Sequence, residues 1–235
     1  RISLLKQGRH DLAKLGIRVL HLSSEYLPQV MKERLQEIWG CEVYQFYGMT
    51  EMGFIGGAEC YAHTRYHLSD LDFLFEVVDP ETGEPLKEGQ GELVFTTLRR
   101  KAMPLIRYKT GDLVELITGE CTCGTSLTTI GKTIKRVGQI EKLGDQEISL
   151  VTFDEVVYTV PEVIDYQVAF TKEGEKDRVV VKARGTHQEK VVDKINDTIM
   201  SIPAIKESIE AGRMSEPRIE LVDSIKREGR AKKRI

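Results

Sequence analysis

Tyr47, Gly48, Met49, Thr50 and Glu51 join an apolar, strand-like approach to a small-residue turn that presents a hydroxyl and a carboxylate side by side. A threonine hydroxyl can donate to a phosphoryl oxygen, and a glutamate can hold a hard cation such as Mg2+ that bridges phosphates. The same five residues also form an ordinary helix start, a turn followed by a capping Thr, so spacing alone leaves both readings open. A second carboxylate, Asp112, closes the run Thr110, Gly111, Asp112, and its paired acceptor oxygens suit a vicinal diol such as a ribose. The plainer reading of that run is a polar turn with a capping Asp.

A third constellation has the chemistry of a metal site. Cys121 and Cys123 flank one residue and precede Gly124, so a turn between them can aim both sulfurs at one ion. This spacing is tighter than the usual zinc knuckle. Cys60 and His67 follow the Gly56–Gly57 pair, where a loop folding back completes a Cys3His tetrahedron for a structural Zn2+. His63 is a rival ligand, and reduced free thiols are the competing state of the cysteines.

These groups need scaffolding. Residues 2 to 15 carry leucines near helical spacing up to Gly16, and Ile17 to Leu22 reads as a short buried strand ending at Ser23, Ser24 and Glu25. A helix from Pro28 places Val30, Met31, Leu35, Ile38 and Trp39 on one face and stops at Gly40. Val43 to Tyr47 is the next strand. Strand, helix, strand with polar residues at the strand ends predicts a parallel α/β sheet, and ligands gather at the carboxyl ends of such strands. Glu25 and Glu51 therefore share one rim.

After Gly57 alternating segments at Phe73–Val78, Gly91–Thr97 and Asp112–Ile117 predict a small antiparallel barrel or sheet, with a turn at residues 79 to 83. From about residue 136 helices at 152–158 and 188–200 and strands at 165–170, 178–183 and 218–222 predict a compact α+β unit, joined through a linker at 130–138.

The 34 basic and 37 acidic residues are mixed along the chain and leave a net charge of -3, which supplies no field for nucleic acid. The basic cluster between Lys226 and Arg234 reads as a solvated tail. No stretch reaches the roughly 18 to 20 apolar residues that span a bilayer. Four cysteines among 235 residues are too few for a disulfide scaffold, so a cytoplasmic setting is expected. Arg1 opens a helical pattern already in progress, which suggests a piece of a longer protein.

Taken in order, Tyr47–Glu51, the Gly91–Thr97 strand, the run Met103 to Asp112 and the Cys121–Cys123 pair resemble the adenylate-forming enzymes, in their phenylacetate-CoA ligase-like branch, which also contains deazaflavin-adenylating synthetases. The resemblance covers nearly the whole chain. It implies that a carboxylate attacks the α-phosphorus of ATP to give an acyl-adenylate and pyrophosphate, after which the thiol of coenzyme A displaces AMP. It also implies an α/β fold: residues 1–135 as the C-terminal part of a large AMP-binding domain, with a parallel-sheet portion (1–58) and a barrel portion (59–135), and residues 136–235 as a small mobile α+β domain.

Carried onto these residues, the resemblance has Thr50 contact the AMP phosphate, Glu51 hold magnesium, and Tyr47, Gly48 and Met49 line the adenine and acyl pocket. Asp112 and Arg136 take the ribose contacts, while Ser24 and Glu25 occupy a strand-end motif of which only the Glu is retained. Similar Cys and His positions occur in the branch. The chain departs from the family at several places. The Gly/Ser/Thr-rich phosphate loop falls outside this sequence. Gly138 replaces the hinge Asp, Arg230 replaces the lysine that assists adenylation, and Thr125 and Thr129 replace branch arginines. Partners implied are a small carboxylic acid, ATP and CoA, with neither nucleic acid nor membrane, and a homodimer is compatible. A degenerate nucleotide- or CoA-binding module and a deazaflavin-adenylating enzyme are the alternative readings.

Overall fold

The computed structural model describes residues 12–225 apart from Phe54, Thr133, 138–139, 144–145 and 186–188. Its described residues cluster into two compact units, one of residues 12–27 and 32–137, the other of Pro28–Met31 with residues 140–225.

In the first unit Leu12–Leu15 is a single 3-10 turn ending at Gly16, whose φ of 69° suits glycine. The rest of the helix expected over residues 2 to 15 lies outside the described residues. Strand β1 (Val19–Leu22) leads to helix α1 (Gln29–Trp39), which stops at Gly40 (φ 61°) as its amide bonds back to the Gln36 carbonyl. Strand β2 (Glu42–Tyr47) then pairs in parallel with β1, Leu22 opposite Gln45, so the polar segments after both strands share one rim. The sequence reading made the first strand buried, but β1 is exposed or partly exposed along its length, whereas β2 alternates, with Val43, Gln45 and Tyr47 buried and the intervening side chains partly exposed.

Strands β3 (Gly57–Glu59) and β4 (Arg65–Leu68) continue antiparallel from β2. They are followed by β5 (Phe73–Val78), β6 (Gly89–Thr97), β7 (Tyr108–Ile117), β8 (Thr129–Gly131) and β9 (Lys135–Arg136). The parallel and antiparallel portions run together as one nine-stranded sheet in the order β1-β2-β3-β4-β8-β7-β6-β5, with β9 against β7. Leu68, Leu93, Phe95, Val114 and Ile130 are fully buried in its core, where Phe95 packs edge-on against Phe73.

Two expectations are corrected here. Tyr108 to Asp112 is part of β7 rather than a polar turn, because the buried Thr110 and Asp112 face inward and Gly111, at φ 71°, takes up a bulge opposite Glu92. The segment read as a linker, residues 130–138, supplies β9 to the large sheet, since Arg136 pairs with Asp112 and Lys135 with Leu113. Gly138 lies outside the described residues.

The second unit opens with a hairpin of β10 (Ile140–Leu143) and β11 (Gln146–Ser149), which the sequence reading missed, and helix α2 (Leu150–Val157). Strands β12 (Val163–Glu173) and β13 (Lys176–Gly185) pair antiparallel, and β14 (Met214–Leu221) joins β13 in parallel after helices α3 (Glu189–Met200) and α4 (Pro203–Glu210). Pro203 starts α4 with its fixed φ where no intrahelical donor is needed. Phe153, Tyr166, Ile195, Ile199 and Ile205 form a fully buried core. The Tyr166 hydroxyl is satisfied there by donating to Asp154 at 2.6 Å. Among the described residues no helix is long and apolar enough to cross a membrane.

Candidate nucleotide and metal sites

Tyr47 ends β2, and its hydroxyl donates to Asp112 Oδ2 at 2.7 Å across 65 residues of sequence. The other carboxylate oxygen pairs with Arg136 Nε at 2.9 Å, while Arg136 also donates to the Thr110 carbonyl at 2.8 Å. Three of the sequence-predicted residues thus meet. Asp112 is almost wholly buried and the Arg136 side chain is half exposed, so a buried carboxylate is held under a partly open guanidinium. Burial, with the adjacent Asp112 charge, pushes the Tyr47 phenol well above its usual range, so it stays a donor.

Gly48, Met49, Thr50 and Glu51 follow Tyr47, with Thr50–Met52 as a 3-10 turn. Thr50 is exposed, Glu51 half-buried, and Met52 anchors the turn in the core. Ser24, at φ 81°, and Glu25 follow β1 on the exposed rim beside β2. Arg230 lies outside the described residues. Thr129 is buried in β8 and donates to the Ile117 carbonyl at 2.9 Å, while the Thr125 hydroxyl accepts from the Leu127 amide.

The ligand atoms of Cys60, His67, Cys121 and Cys123 all lie within 4.8 Å of one another. Cys60 leaves the end of β3, His67 belongs to β4, and the cysteine pair lies between β7 and β8. The pairing of His67 with Thr129 draws the β3–β4 hairpin toward the β7–β8 connection. Cys60 Sγ is 3.6 Å from Cys121 Sγ, and Cys123 Sγ is 3.6 Å from His67 Nε2. Zn–S bonds of about 2.3 Å in a tetrahedron require sulfur–sulfur edges of roughly 3.7 Å, so the donor set fits a zinc ion. Tyr61, largely exposed, straps the same loops by donating to the Thr122 carbonyl at 2.6 Å.

His63, the rival ligand, is engaged elsewhere. Its Nδ1 lies 2.9 Å from Lys32 Nζ and 3.1 Å from Glu59 Oε2. Glu59 is the hub of a buried charge cluster: its carboxylate takes Lys32 at 3.0 Å, the Gln45 amide at 3.0 Å, and an ion pair with Lys132. Burial alone would raise the Glu59 carboxyl, but Lys132, His63 and Lys32 outweigh it and hold the group below its usual range. Burial pushes the Lys32 amine down. Sequence reasoning missed this cluster, although a lysine interrupting the Val30–Met31–Leu35 stripe of α1 was its visible trace.

The class follows from fold and comparison together. Residues 2–98 match the family model described as AMP-binding enzyme. A 2-hydroxyisobutyryl-CoA ligase in the postadenylation state superposes with a TM-score of 0.76 at 20% identity, covering 96% of this chain and 49% of that one. An anthranilate CoA ligase in complex with anthranoyl-AMP gives 0.62 at 18% identity, covering 93% and 44%. The architecture is that of the adenylate-forming enzymes.

Within that class, the phenylacetate-coenzyme A ligase of Thermus thermophilus is 32% identical over 217 residues, covering 85% of this chain and 49% of that protein. Its counterpart from Escherichia coli is 35% identical over 119 residues, covering 49% and 27%. The chain belongs to the adenylate-forming superfamily, in the phenylacetate-CoA ligase-like branch. It spans about half the length, or less, of the curated relatives it matches.

Proposed function

We propose that this chain is the C-terminal part of an ATP-dependent acyl- or aryl-CoA ligase that forms an acyl-adenylate and then a CoA thioester, with residues up to about 135 completing the AMP-binding domain and the remainder acting as its small mobile domain. The observation that carries this reading is the buried Asp112 carboxylate, oriented by Tyr47 and charge-paired with Arg136. Asp112 accepts the two ribose hydroxyls. Arg136 pairs with the carboxylate and offers the ribose a donor. Because neighbours already hold both groups, little ordering remains to be done when nucleotide arrives.

Thr50 donates to the AMP phosphate, and Tyr47, Gly48 and Met49 line the adenine and the acyl group. Ser24 and Glu25 edge the same rim, and Arg230 assists adenylation. Magnesium, held through Glu51, would neutralise phosphate charge as the carboxylate oxygen bonds to the α-phosphorus and pyrophosphate leaves. In the second half-reaction the CoA sulfur bonds to the acyl carbon and AMP departs. Cys60, His67, Cys121 and Cys123 hold a structural Zn2+, and four protein ligands leave that ion no open position. The work is placed in the cytoplasm, and a homodimer is compatible with it.

The test is calorimetric titration of the protein with AMP and with adenosine, alongside Asp112→Ala. Both ligands should bind, and the variant should weaken both. Nucleotide affinity indifferent to Asp112 would sink the assignment. Mass spectrometry of a mixture with ATP, Mg2+, phenylacetate and CoA then reads turnover: AMP and an acyl-CoA are expected, whereas binding without these products identifies a nucleotide-binding module and retained adenylyl product a deazaflavin-type enzyme.

A further inference from the structure

The loop between β6 and β7 carries Arg99, Arg100 and Lys101, none of which the nucleotide reading uses. This loop is pinned at its base. The Thr97 amide donates to the Leu105 carbonyl at 2.9 Å, the Leu105 amide returns to Thr97 Oγ1 at 3.0 Å, and the Leu98 amide donates to the Asp72 carbonyl at 2.9 Å. From that base Arg100, half-buried, reaches back 49 residues in sequence and its Nη1 donates to the Glu51 carbonyl at 2.6 Å.

The bond falls where the turn needs it. Within Thr50–Met52 the Met52 amide bonds to the Met49 carbonyl and the Gly53 amide to the Thr50 carbonyl, each at 3.0 Å, while the Glu51 carbonyl takes Arg100. Arg100 Nη2 lies 3.5 Å from the point where a Cβ on Gly53 would stand, so the planar fork covers the turn from Glu51 to Gly53. A charge-assisted bond from a rigid guanidinium restrains a short turn more strongly than a neutral one.

We propose that Arg100 is a positioning residue for the phosphate of the bound nucleotide: it clamps the Thr50–Met52 turn through the Glu51 carbonyl and thereby fixes the Thr50 hydroxyl. The proposal rests on the reading of Thr50 as the phosphate contact. A clamp of this kind acts on the phosphate alone, because the ribose contacts of Asp112 and Arg136 stand on β7 and β9.

The experiment compares AMP with adenosine on the full chain by calorimetry, for the wild type, Arg100→Met and Arg100→Lys, and follows hydrogen exchange of the Met52 and Gly53 amides without ligand. Loss of one charge-assisted hydrogen bond should weaken AMP binding by Arg100→Met about tenfold and leave adenosine within about twofold. Arg100→Lys, which keeps a cationic donor, should recover part of the AMP affinity. The two amides should exchange faster in Arg100→Met. Equal losses for AMP and adenosine, or unchanged AMP affinity, overturn the proposal. Should the wild type bind neither ligand, the nucleotide reading fails by itself, and unchanged exchange in Arg100→Met then overturns the clamp independently.

Discussion

A single buried carboxylate, Asp112, draws its properties from neighbours far away in sequence. Tyr47 and Arg136 take one oxygen each, and the geometry is rigid because β7 holds Asp112 between β6 and β9. Hydrogen bonds to charged groups contribute roughly 1.5 to 3 kcal/mol, so Asp112→Ala should lower the affinity for AMP and adenosine alike by about that amount. Tyr47→Phe removes only the orienting donor. It should cost less in binding than Asp112→Ala yet lower the denaturation midpoint, because the carboxylate loses a partner in a buried setting. Titration calorimetry and urea unfolding check the pair, and a Tyr47→Phe protein as stable as wild type would show that the bond contributes nothing net.

At the scale of elements, the β3–β4 hairpin is held at two points. One is the set Cys60, His67, Cys121 and Cys123, which joins it to the β7–β8 connection. Purified protein should carry about one equivalent of zinc for this four-ligand set. Cys121→Ser or chelation should remove most of the zinc and open residues 60–67 to protease. Elemental analysis with limited proteolysis reads both effects, and zinc content indifferent to Cys121 would reject the assignment. The other point is Glu59, fully buried against Lys32 and close to Lys132 and His63. Removing one partner of a buried ion pair costs about 3 to 5 kcal/mol because the remaining charge is left uncompensated, so Glu59→Gln should destabilise the protein on that order. Chemical denaturation measures it. A change within a few tenths of a kcal/mol would mean that water reaches Lys32 and Lys132 freely.

For the whole molecule, the two units hold separate sets of buried side chains, one centred on Phe95 and Leu93, the other on Phe153, Tyr166 and Ile195. Each unit has a sheet of its own to cover. Phe→Ala in a packed core costs about 3 to 5 kcal/mol. Phe153→Ala should therefore accelerate hydrogen exchange throughout β12 and β13 while leaving β6 and β7 near their wild-type protection, and Phe95→Ala should do the reverse. Mass-spectrometric exchange resolved by peptide makes the comparison. Equal loss of protection in both units after either substitution would show that they unfold as one cooperative body.

What the sequence determined by itself is local in origin. The strand at Phe73–Val78, the stop at Gly40 and two helices of the second unit, Leu150–Val157 and Glu189–Met200, follow from side-chain period and backbone freedom over a few residues, and the structure forms them within a few residues of the expected bounds, whereas the helix Pro203–Glu210 is not among those expected. Residue chemistry singled out Asp112 and the Cys and His set, since few side chains accept from a diol or bind a thiophilic metal, while Arg136 came only from the resemblance to the adenylate-forming enzymes. What only the tertiary structure decided is register and strand order. Tyr108 to Asp112 reads as a turn in sequence, yet pairing with β6 draws it into a bulged strand. The same holds for Lys32 and Arg100: a lone lysine on a helix and an arginine in a basic loop resemble solvated charges until the sheet brings Glu59 and the Glu51 carbonyl to them. Such contacts span 27 and 49 residues, and their energy depends on desolvation by the folded sheet, which no window of sequence contains.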